Sequence, residues 1–381
     1  MKKTAILTSL LLLGTTSLFS QTNQGVITLD EFRLPSKRDI IHIPNVNGFQ
    51  VLKCDFHMHT VFTDGHVWPN VRVQEAWKEG LDAISITEHM EYQPHKDDVN
   101  TDHNRSHDLA VELAKENNLV LIKGTEVTRN TPPGHFNALF ITDANKFIDV
   151  RDEDKDQESI DRVINDGAFV FWNHPGWKDK QIPGSYEWIP FVEKLYQEKK
   201  VHGIEVVNGL GFHSKALDWA LDRNLTIIGN TDMHNLIAHS YDLNKEGVHR
   251  TMTLIMSKDR SAQGIREALN SGRTVAWSSK YLFGKEEHVK ALFDACVALS
   301  PVFHKKTNNK GVVTNYYEIK NNSDLYFELV LKAGKGTKKI VLYPGSAQTL
   351  TAEANQPSLT YEVVSTYIRS DKHLNVDIRL N

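Results

Sequence analysis

The sequence predicts an α/β protein followed by a small antiparallel β-sandwich domain. Between about residues 48 and 285, continuous apolar runs alternate with helical patterns, which is typical of a parallel sheet covered by helices, either open or closed into a barrel. From residue 301 to residue 381, short strand-like runs are separated by turns such as Asn321–Asn322 and Pro344–Gly345, which favour a sandwich. A chain of 381 residues is long enough for both domains.

Apolar runs in the first region predict its strands. They are Val51–Phe56, Ala83–Thr87, Leu119–Lys123, Ala138–Ile141, Ala168–Trp172, Ile204–Val207, Thr226–Gly229 and Thr253–Met256. Helical patterns cover Val71–Gly80, Asp108–Asn117 and Gly264–Gly272, each ending at the Gly or Asn that often follows a helix. A linker helix is predicted over residues 286–300. The strands predicted for the C-terminal domain are Tyr316–Ile319, Leu325–Leu331, Lys339–Tyr343, Tyr361–Ser365 and Leu374–Ile378.

The first twenty residues resemble an export signal. Lys2 and Lys3 precede the apolar run Ala5–Leu13, and small residues lead to a plausible cleavage point at Ser20–Gln21. The run is too short to span a bilayer, which needs about 20 residues. We therefore predict a signal peptide over residues 1–20, an extension over residues 21–47, and a secreted or periplasmic protein without a membrane span. An uncleaved anchor or a buried N-terminal helix is the alternative.

Charge and cysteine content exclude several classes of protein. The formal charge is -4, and no block of like charge stands out, so no strong nucleic-acid surface is expected. Two cysteines are too few for a disulfide scaffold or a four-cysteine zinc module. Cys54 and Cys296 could pair in an oxidising compartment, but two separately buried thiols are the favoured interpretation.

The chain contains 18 histidines, and several of them follow predicted strands. His57 and His59 are two residues apart at the end of the first run, so both can point to the same face. Asp232 and His234 repeat this spacing after a later run. Because the carboxyl ends of barrel strands converge, we expect one cluster of ligands. Its predicted members are His57, His59, Asp64, His89, Glu126, His135, His174, Asp232 and His234.

A single histidine after a strand is more often a cap or an ordinary hydrogen-bonding residue. The two same-face pairs and the repetition after successive strands favour a metal centre instead. Nine ligands exceed the four of a structural zinc site, so two or three divalent ions are expected. Imidazole and carboxylate ligands without thiolate suit Zn, Mn or Fe. Such centres activate water, which predicts a hydrolase.

The order His57–x–His59, Asp64, Thr87–x–His89, Glu126, His135, His174 and Asp232–x–His234 resembles the PHP (polymerase and histidinol phosphatase) family. The resemblance covers residues 48–285 and implies a distorted seven-stranded β/α barrel. It also implies roles for Glu126, Asp232 and His234 in catalysis. One ion would be held by His57, His59, Glu126 and Asp232, the second by Glu126, His135 and His174, and the third by Asp64, His89 and His234. Family members carry His or Asp at the position of Asp64.

The segments Asp64–Pro69 and Glu91–Lys96 are similar to a secreted branch, the Sb-PDE phosphodiesterases. That similarity implies attack of a metal-bridging hydroxide on the phosphorus of a diester. Three alternatives stay open. They are a phosphomonoesterase or nucleotidase on the same centre, an amidohydrolase with a carbamylated Lys123, and a barrel that only binds a carbohydrate or a partner.

The expected partner is a small phosphate-ester substrate, and the sequence leaves the oligomeric state open. Cations that are not metal ligands could bind its phosphate, although a solvated surface charge is the favoured interpretation of each. The predicted substrate-binding residues are Arg250, Lys178, Arg105 and Tyr92. Aromatic side chains could wall the pocket or pack in the core. They are Trp68, Tyr92 and Trp177, and the imidazole of His95 is a further candidate.

Overall fold

The computed structural model describes residues 37–147, 156–245 and 247–380. The predicted signal peptide and most of the predicted extension lie outside these residues. The elements before the C-terminal region are β1 (Gln50–Asp55), α1 (Pro69–Lys78), β2 (Ala83–Ile84), α2 (Arg105–Glu116), β3 (Val120–Leu121), β4 (Gly124–Val127), β5 (Phe136–Leu139), α3 (Asp156–Asn165), β6 (Phe169–Trp172), α4 (Pro190–Gln197), β7 (Gly203–Asn208), β8 (Gly211–Phe212), α5 (Ser214–Asp222), β9 (Thr226–Asn230), β10 (Met252–Ser257), α6 (Ala262–Asn270), β11 (Thr274–Ser278), β12 (Tyr281–Gly284) and α7 (Glu286–Cys296). Within the described residues, no helix is both long and apolar enough to cross a membrane.

Local sequence explains where the helices begin. Pro69 opens α1 directly after Trp68, whose backbone is extended, because proline fits the first turn and needs no donor there. Ser261 caps α6, since its side chain accepts a hydrogen bond from Gly264 N at 2.9 Å. Both helices bury apolar side chains such as Val73 and Ile265, so each covers a sheet with one face.

The strands form two mixed sheets, which corrects the expectation of a parallel sheet. In the first, β1, β2 and β3 run parallel, whereas β10, β11 and β12 continue from β1 in antiparallel order. In the second, β6, β7 and β9 are parallel and β4, β5 and β6 are antiparallel. Short connections such as the one between β11 and β12 permit only antiparallel pairing. Among the described residues, no continuous ladder between strands closes the two sheets into the predicted seven-stranded barrel.

Side chains and a short bridge hold the two sheets together at the ends of their strands. Asn230 Oδ1 accepts a hydrogen bond from Phe56 N at 2.8 Å, and Thr253 Oγ1 donates to Gly229 O at 2.8 Å. On the other side, His89 forms an isolated parallel bridge with Glu126. The carboxyl ends of β1, β4 and β9 therefore lie close together.

The C-terminal region is a pair of facing sheets, as expected for a sandwich. Its strands are β13 (Val297–Leu299), β14 (His304–Thr307), β15 (Val313–Asn321), β16 (Phe327–Ala333), β17 (Lys339–Leu342), β18 (Ala347–Glu353), β19 (Ser358–Val363), β20 (Thr366–Tyr367) and β21 (Leu374–Arg379). One sheet contains β13, β14, β15 and β18, and the other has the order β17, β16, β19, β21. Tyr317 and Leu350 of the first pack in one core with Leu329 and Tyr361 of the second.

The segment between the two regions is more than a linker. Helix α7 buries Val289, Leu292 and Phe293 in the core that both regions share. Strand β20 pairs in parallel with β12 and so becomes the edge strand of the first sheet. The domain boundaries near residues 285 and 301 stay predictions, but the two regions are continuous in packing. Cys54 and Cys296 are both buried and free, which confirms the favoured interpretation.

Candidate metal centre

The nine predicted ligands lie together where the strand ends of the two sheets meet; we call them the ligand cluster. Glu126 is its centre. Its Oε1 lies 3.3 Å from His57 Nε2 and 3.1 Å from His135 Nδ1, and its Oε2 lies 2.6 Å from His89 Nδ1. Asp232 Oδ1 lies 3.1 Å from His57 Nε2. A carboxylate among several imidazoles is the arrangement that a bridging metal ligand requires.

Ligand atoms within 4.8 Å of one another form four overlapping groups. Asp64 belongs to the group nearest the surface, because its Oδ1 lies 3.3 Å from His89 Nε2 and 3.2 Å from His234 Nε2. The groups are His57, His174 and Asp232; His57, His59 and Glu126; His89, Glu126 and His135; and His59, Asp64, His89 and His234.

Several of these atoms are buried and lack a hydrogen-bond partner among the described residues. Both ring nitrogens of His59, Nε2 of His57, Oδ1 of Asp64 and Oε2 of Glu126 lie close to other ligand atoms, but none has a partner in hydrogen-bonding geometry. Buried polar atoms without partners cost free energy, and native proteins seldom retain them. Their identity as imidazole nitrogens and carboxylate oxygens matches the donors that Zn, Mn and Fe prefer. The residues present therefore fit a centre of divalent ions.

Electrostatics keep the carboxylates of the cluster ionised. Burial alone would raise the pKa of Glu126, but His89, His135 and His57 lower it well below its usual range. Burial likewise opposes ionisation of Asp232, but the charge of the neighbouring His57 reverses that effect and lowers the pKa of Asp232. The chain thus holds buried negative charge that cations can neutralise.

The imidazoles respond to the same field in two ways. Burial, together with the neighbouring His89, lowers the pKa of His59 to about 3, so this ring is neutral and ready to bind a metal. Burial also acts against protonation of His57, but the charges of Asp232, Glu205 and Glu126 raise its pKa well above the usual value. Cations entering the cluster would displace such protons.

Glu205 supports the centre but is not among the residues predicted from the sequence. This fully buried carboxylate accepts a hydrogen bond from His57 Nδ1 at 2.8 Å through Oε1 and from His174 N at 2.9 Å through Oε2. It thereby turns the other nitrogen of His57 toward Glu126, as a carboxylate behind a metal-binding histidine commonly does. The available signal was a charged residue inside the apolar run Ile204–Val207.

Two ligand residues adopt unusual backbone conformations. Asp232 has φ of 53° and His174 has φ of 26°, in the region that residues with a Cβ seldom occupy. The turn at Asp232 is held by a hydrogen bond from its N to His57 O at 2.9 Å and by one from His59 N to Met233 O at 3.0 Å. Such strain persists only where the surrounding structure fixes it, and it is common at functional sites.

The predicted substrate-binding residues are not all near the cluster. Lys178 and Tyr92 lie near it. Lys178 Nζ is 4.4 Å from the centroid of the Trp177 ring, and that ring is 5.3 Å from the ring of His174. The Tyr92 ring is 6.1 Å from the ring of His89. Arg105 is exposed at the start of α2 and forms no hydrogen bond or ion pair with the nine ligands among the described residues.

Arg250 corrects the prediction made for it. Its side chain is fully buried, and its Nη2 donates to Asp55 Oδ2 at 2.8 Å and lies 3.2 Å from Met58 Sδ. A guanidinium held beneath the strands cannot reach a substrate at the mouth. Lys123, the residue that the amidohydrolase alternative requires, faces Asp108 at 3.7 Å and Asn104 at 3.4 Å. It forms no ion pair with the ligand cluster among the described residues.

The open side of the centre is bordered by exposed aromatic rings and a small cavity. Tyr92 and Trp177, whose rings lie beside those of His89 and His174, are 51% and 44% exposed, which is unusual for side chains of this size. Trp68 is 46% exposed, and its ring lies beside Phe62. A cavity of about 330 Å³ is lined by Asp232 and His234 with the residues around them. A small organic molecule could therefore reach the ligands from this side.

Together, the mixed α/β fold and the buried His, Asp and Glu cluster define a metal-dependent hydrolase. A two-domain protein from Bacteroides vulgatus ATCC 8482, described as containing a predicted PHP-like metal-dependent phosphoesterase, is 43% identical. The similarity covers 91% of this chain and 100% of that chain, with a TM-score of 0.83. The chain belongs to this family of PHP-like metal-dependent phosphoesterases. The narrower Sb-PDE placement stays a prediction.

Further comparisons describe the two parts of the chain. Residues 297–379 match a family model described as an Ig-like domain. A candidate metal-dependent phosphoesterase from Bifidobacterium adolescentis ATCC 15703 is 17% identical over 57% of this chain and 96% of that chain, with a TM-score of 0.39. An amidohydrolase from Chromobacterium violaceum is 14% identical over 49% of this chain and 89% of that chain, with a TM-score of 0.35. No curated protein matches the chain.

Proposed function

We propose that this protein is an exported phosphodiesterase that hydrolyses small organic phosphodiesters. The observation that carries the proposal is the ligand cluster, whose buried nitrogen and oxygen atoms lack partners in a chain that belongs to a family of phosphoesterases. Residues 1–20 are proposed to direct export, because their basic start and short apolar run have the pattern of a signal peptide.

The ligand cluster would hold two or three divalent ions of Zn, Mn or Fe. His57, His59, Glu126 and Asp232 would hold the first, Glu126, His135 and His174 the second, and Asp64, His89 and His234 the third. Bound ions supply an acidified water and neutralise charge that develops on phosphoryl oxygens. Two of the four ligand groups agree with the first and third sets, whereas His174 lies in a group with His57 and Asp232.

The chain's own residues position the reaction. Glu126 remains ionised between three imidazoles, so it can join two parts of the centre. Asp232 lines the cavity beside the centre and would accept the proton of the attacking water at its carboxylate. His234, whose Nε2 lies 3.2 Å from Asp64 Oδ1, stands at the more exposed end and would stabilise the departing group.

The surroundings favour a diester over a monoester. A terminal phosphate carries two negative charges and calls for several cationic contacts, whereas a diester carries one. Of the three cations predicted for substrate, the structure brings only Lys178 near the ligand cluster. Trp68, Tyr92 and Trp177 could pack against the organic groups of a diester. The same centre with additional cations would suit a phosphomonoesterase or nucleotidase.

A metal count combined with two substrates tests the proposal. The purified protein is analysed for bound metals and assayed with bis(p-nitrophenyl) phosphate and p-nitrophenyl phosphate. We expect two or more ions per chain and a clear preference for the diester. A preference for the monoester would replace the proposal with a phosphatase, and bound metal without cleavage of either compound would favour an amidohydrolase. Failure to bind metal after reconstitution would refute the centre itself.

A further inference from the structure

A second cavity, separate from the metal centre, lies beside the junction of the two domains. Its volume is about 660 Å³, within the range of sites that bind small molecules. None of the nine predicted ligands lines it. Its charged and aromatic lining includes Glu79, Arg250, Trp277, Lys280, Tyr326 and Tyr343.

The floor of this cavity contains buried polar atoms without partners. Arg250 uses Nη2 to bind Asp55, but its Nε and Nη1 have no hydrogen-bond partner among the described residues. Glu79 Oε2 lies 3.7 Å from Arg250 Nη1, is buried, and also lacks a hydrogen-bond partner there. Buried polar groups without hydrogen bonds cost free energy. Arg250 Nη1 is a donor and Glu79 Oε2 is an acceptor, so the pair suits a ligand group that can both accept and donate a hydrogen bond, as a hydroxyl group can.

Aromatic rings form the wall above this floor. Trp277 comes from β11, whereas Tyr326 and Tyr343 come from the Ig-like domain. The two tyrosine rings are 5.6 Å apart and nearly perpendicular, and Tyr343 is 59% exposed at the mouth. Aromatic faces offer a broad apolar surface against which the CH groups of a sugar ring can pack.

The charges around the cavity oppose an anionic ligand. Arg250 is already matched by Asp55. The remaining lining contains the cation Lys280 and three carboxyl groups, those of Asp39, Glu79 and Asp324. A phosphate ester would meet more negative than positive charge there, so this cavity is not a second entrance for the proposed substrate.

We propose that this interdomain cavity binds a neutral carbohydrate, a mono- or disaccharide. Its hydroxyl groups would accept from Arg250 Nη1 and donate to Glu79, and its ring would pack against Tyr326 and Tyr343. The site would use both domains, which explains why the polar floor belongs to one of them and the tyrosine wall to the other. The proposal does not depend on the metal centre or on the reaction.

Calorimetric titration of the full chain tests this site. The probes are glucose, galactose, N-acetylglucosamine, maltose and cellobiose, and we expect at least one to bind. Tyr343→Ala should weaken that binding about tenfold, which corresponds to about 1.4 kcal/mol. Glu79→Leu should abolish it. Phe303→Ala is the matched control, because Phe303 is 61% exposed in the same domain and does not line the cavity.

Three results would overturn the proposal. The first is that none of the five sugars binds. The second is binding that survives both Tyr343→Ala and Glu79→Leu, which would place the sugar elsewhere. The third is that p-nitrophenol binds with the expected dependence on Tyr343 while the sugars do not, which would assign the cavity to planar aromatic molecules. Circular dichroism of each variant shows whether the fold is retained, and Tyr343→Ala decides the test if Glu79→Leu does not fold.

Discussion

Two clusters of buried charge share the end of β1, and they are neutralised differently. In the first, which we call the arginine cluster, Arg250 faces Asp55 at 2.8 Å and Glu79 at 3.7 Å. In the ligand cluster, imidazoles and the side-chain amides of Asn173 and Asn208 surround the carboxylates, with no permanent cation, and several nitrogens lack a partner in hydrogen-bonding geometry among the described residues. One cluster carries a permanent cation of its own, whereas the other depends on protons or on metal ions. The buried charge of the first is thus balanced within the chain, whereas that of the second is balanced by what it binds.

Replacement of Glu126 should have the largest effect. Glu126→Gln keeps the shape of the side chain but removes the charge shared by three imidazoles. We expect loss of bound metal and a fall in diester hydrolysis of more than about 100-fold, beyond what changes behind a metal ligand usually cause. Elemental analysis and the diester assay measure both. Asp82→Asn is the matched control, because Asp82 is a buried carboxylate paired with Lys53 at 2.7 Å, outside both clusters. Normal metal content with full activity in Glu126→Gln would contradict the bridging role.

Removal of the Arg250 guanidinium should instead lower the free energy of unfolding. Arg250→Met leaves Asp55 buried without its cation, and breaking such a pair costs about 3–5 kcal/mol. Urea unfolding of the variant and the parent protein, both with chelator present, measures the difference in the free energy of unfolding. Arg250→Lys should restore part of it. An unchanged stability together with a raised KM for the diester would support the phosphate contact that burial argues against.

Glu205→Gln should weaken the metal centre without emptying it. The amide can still contact His57, but it no longer holds a negative charge behind the ring, and comparable changes reduce metal affinity about 10–100-fold. Competition with a chromogenic chelator gives the affinity. The far-ultraviolet circular dichroism should stay that of the parent. An unchanged affinity would reduce Glu205 to a packing role.

The smallest effect concerns the pH dependence of the arginine cluster. Burial raises the pKa of Glu79 from 4.5 to about 7 despite Arg250, so the folded chain binds this proton more tightly than the unfolded chain. The stabilisation from Glu79 is complete below about pH 4.5 and is lost as the pH rises to about 7. Relative to the parent, Glu79→Gln should therefore gain about 1–3 kcal/mol between these pH values. Urea unfolding across this range tests it, and a constant difference would show that Glu79 is ionised throughout.

The sequence was sufficient to predict the strands whose own residues form a continuous apolar run. All eight apolar runs of the first region contain a strand, because burial on both faces requires continuous apolar residues. Strand β14 was not predicted, since its residues His304–Thr307 are all exposed and it exists only through pairing with β15. Strands β11 and β12 were not among the predicted runs, so their antiparallel arrangement with β10 was also missed.

In the site, too, the residues placed by local sequence could be predicted, and those placed by long-range pairing could not. Ligands that follow strands could be placed together, because the position of a strand end is visible in the sequence. Arg250 was placed wrongly for the opposite reason: its partner Asp55 is distant in the chain, and only the folded structure shows that the two meet. Glu205 was overlooked because it interrupts an apolar run at a single position. Long-range pairing of buried charges is the information that a single sequence does not display.

Strand β20 covers an edge of the first sheet that would otherwise be open. It covers the outer edge of β12, a four-residue strand that contains Tyr281 and Phe283. An uncovered edge of this kind, with aromatic side chains and free backbone groups, is a template on which other chains can add as strands and aggregate. A chain shortened before β20 would expose that edge. The Ig-like domain therefore completes the first sheet whether or not it also binds a ligand.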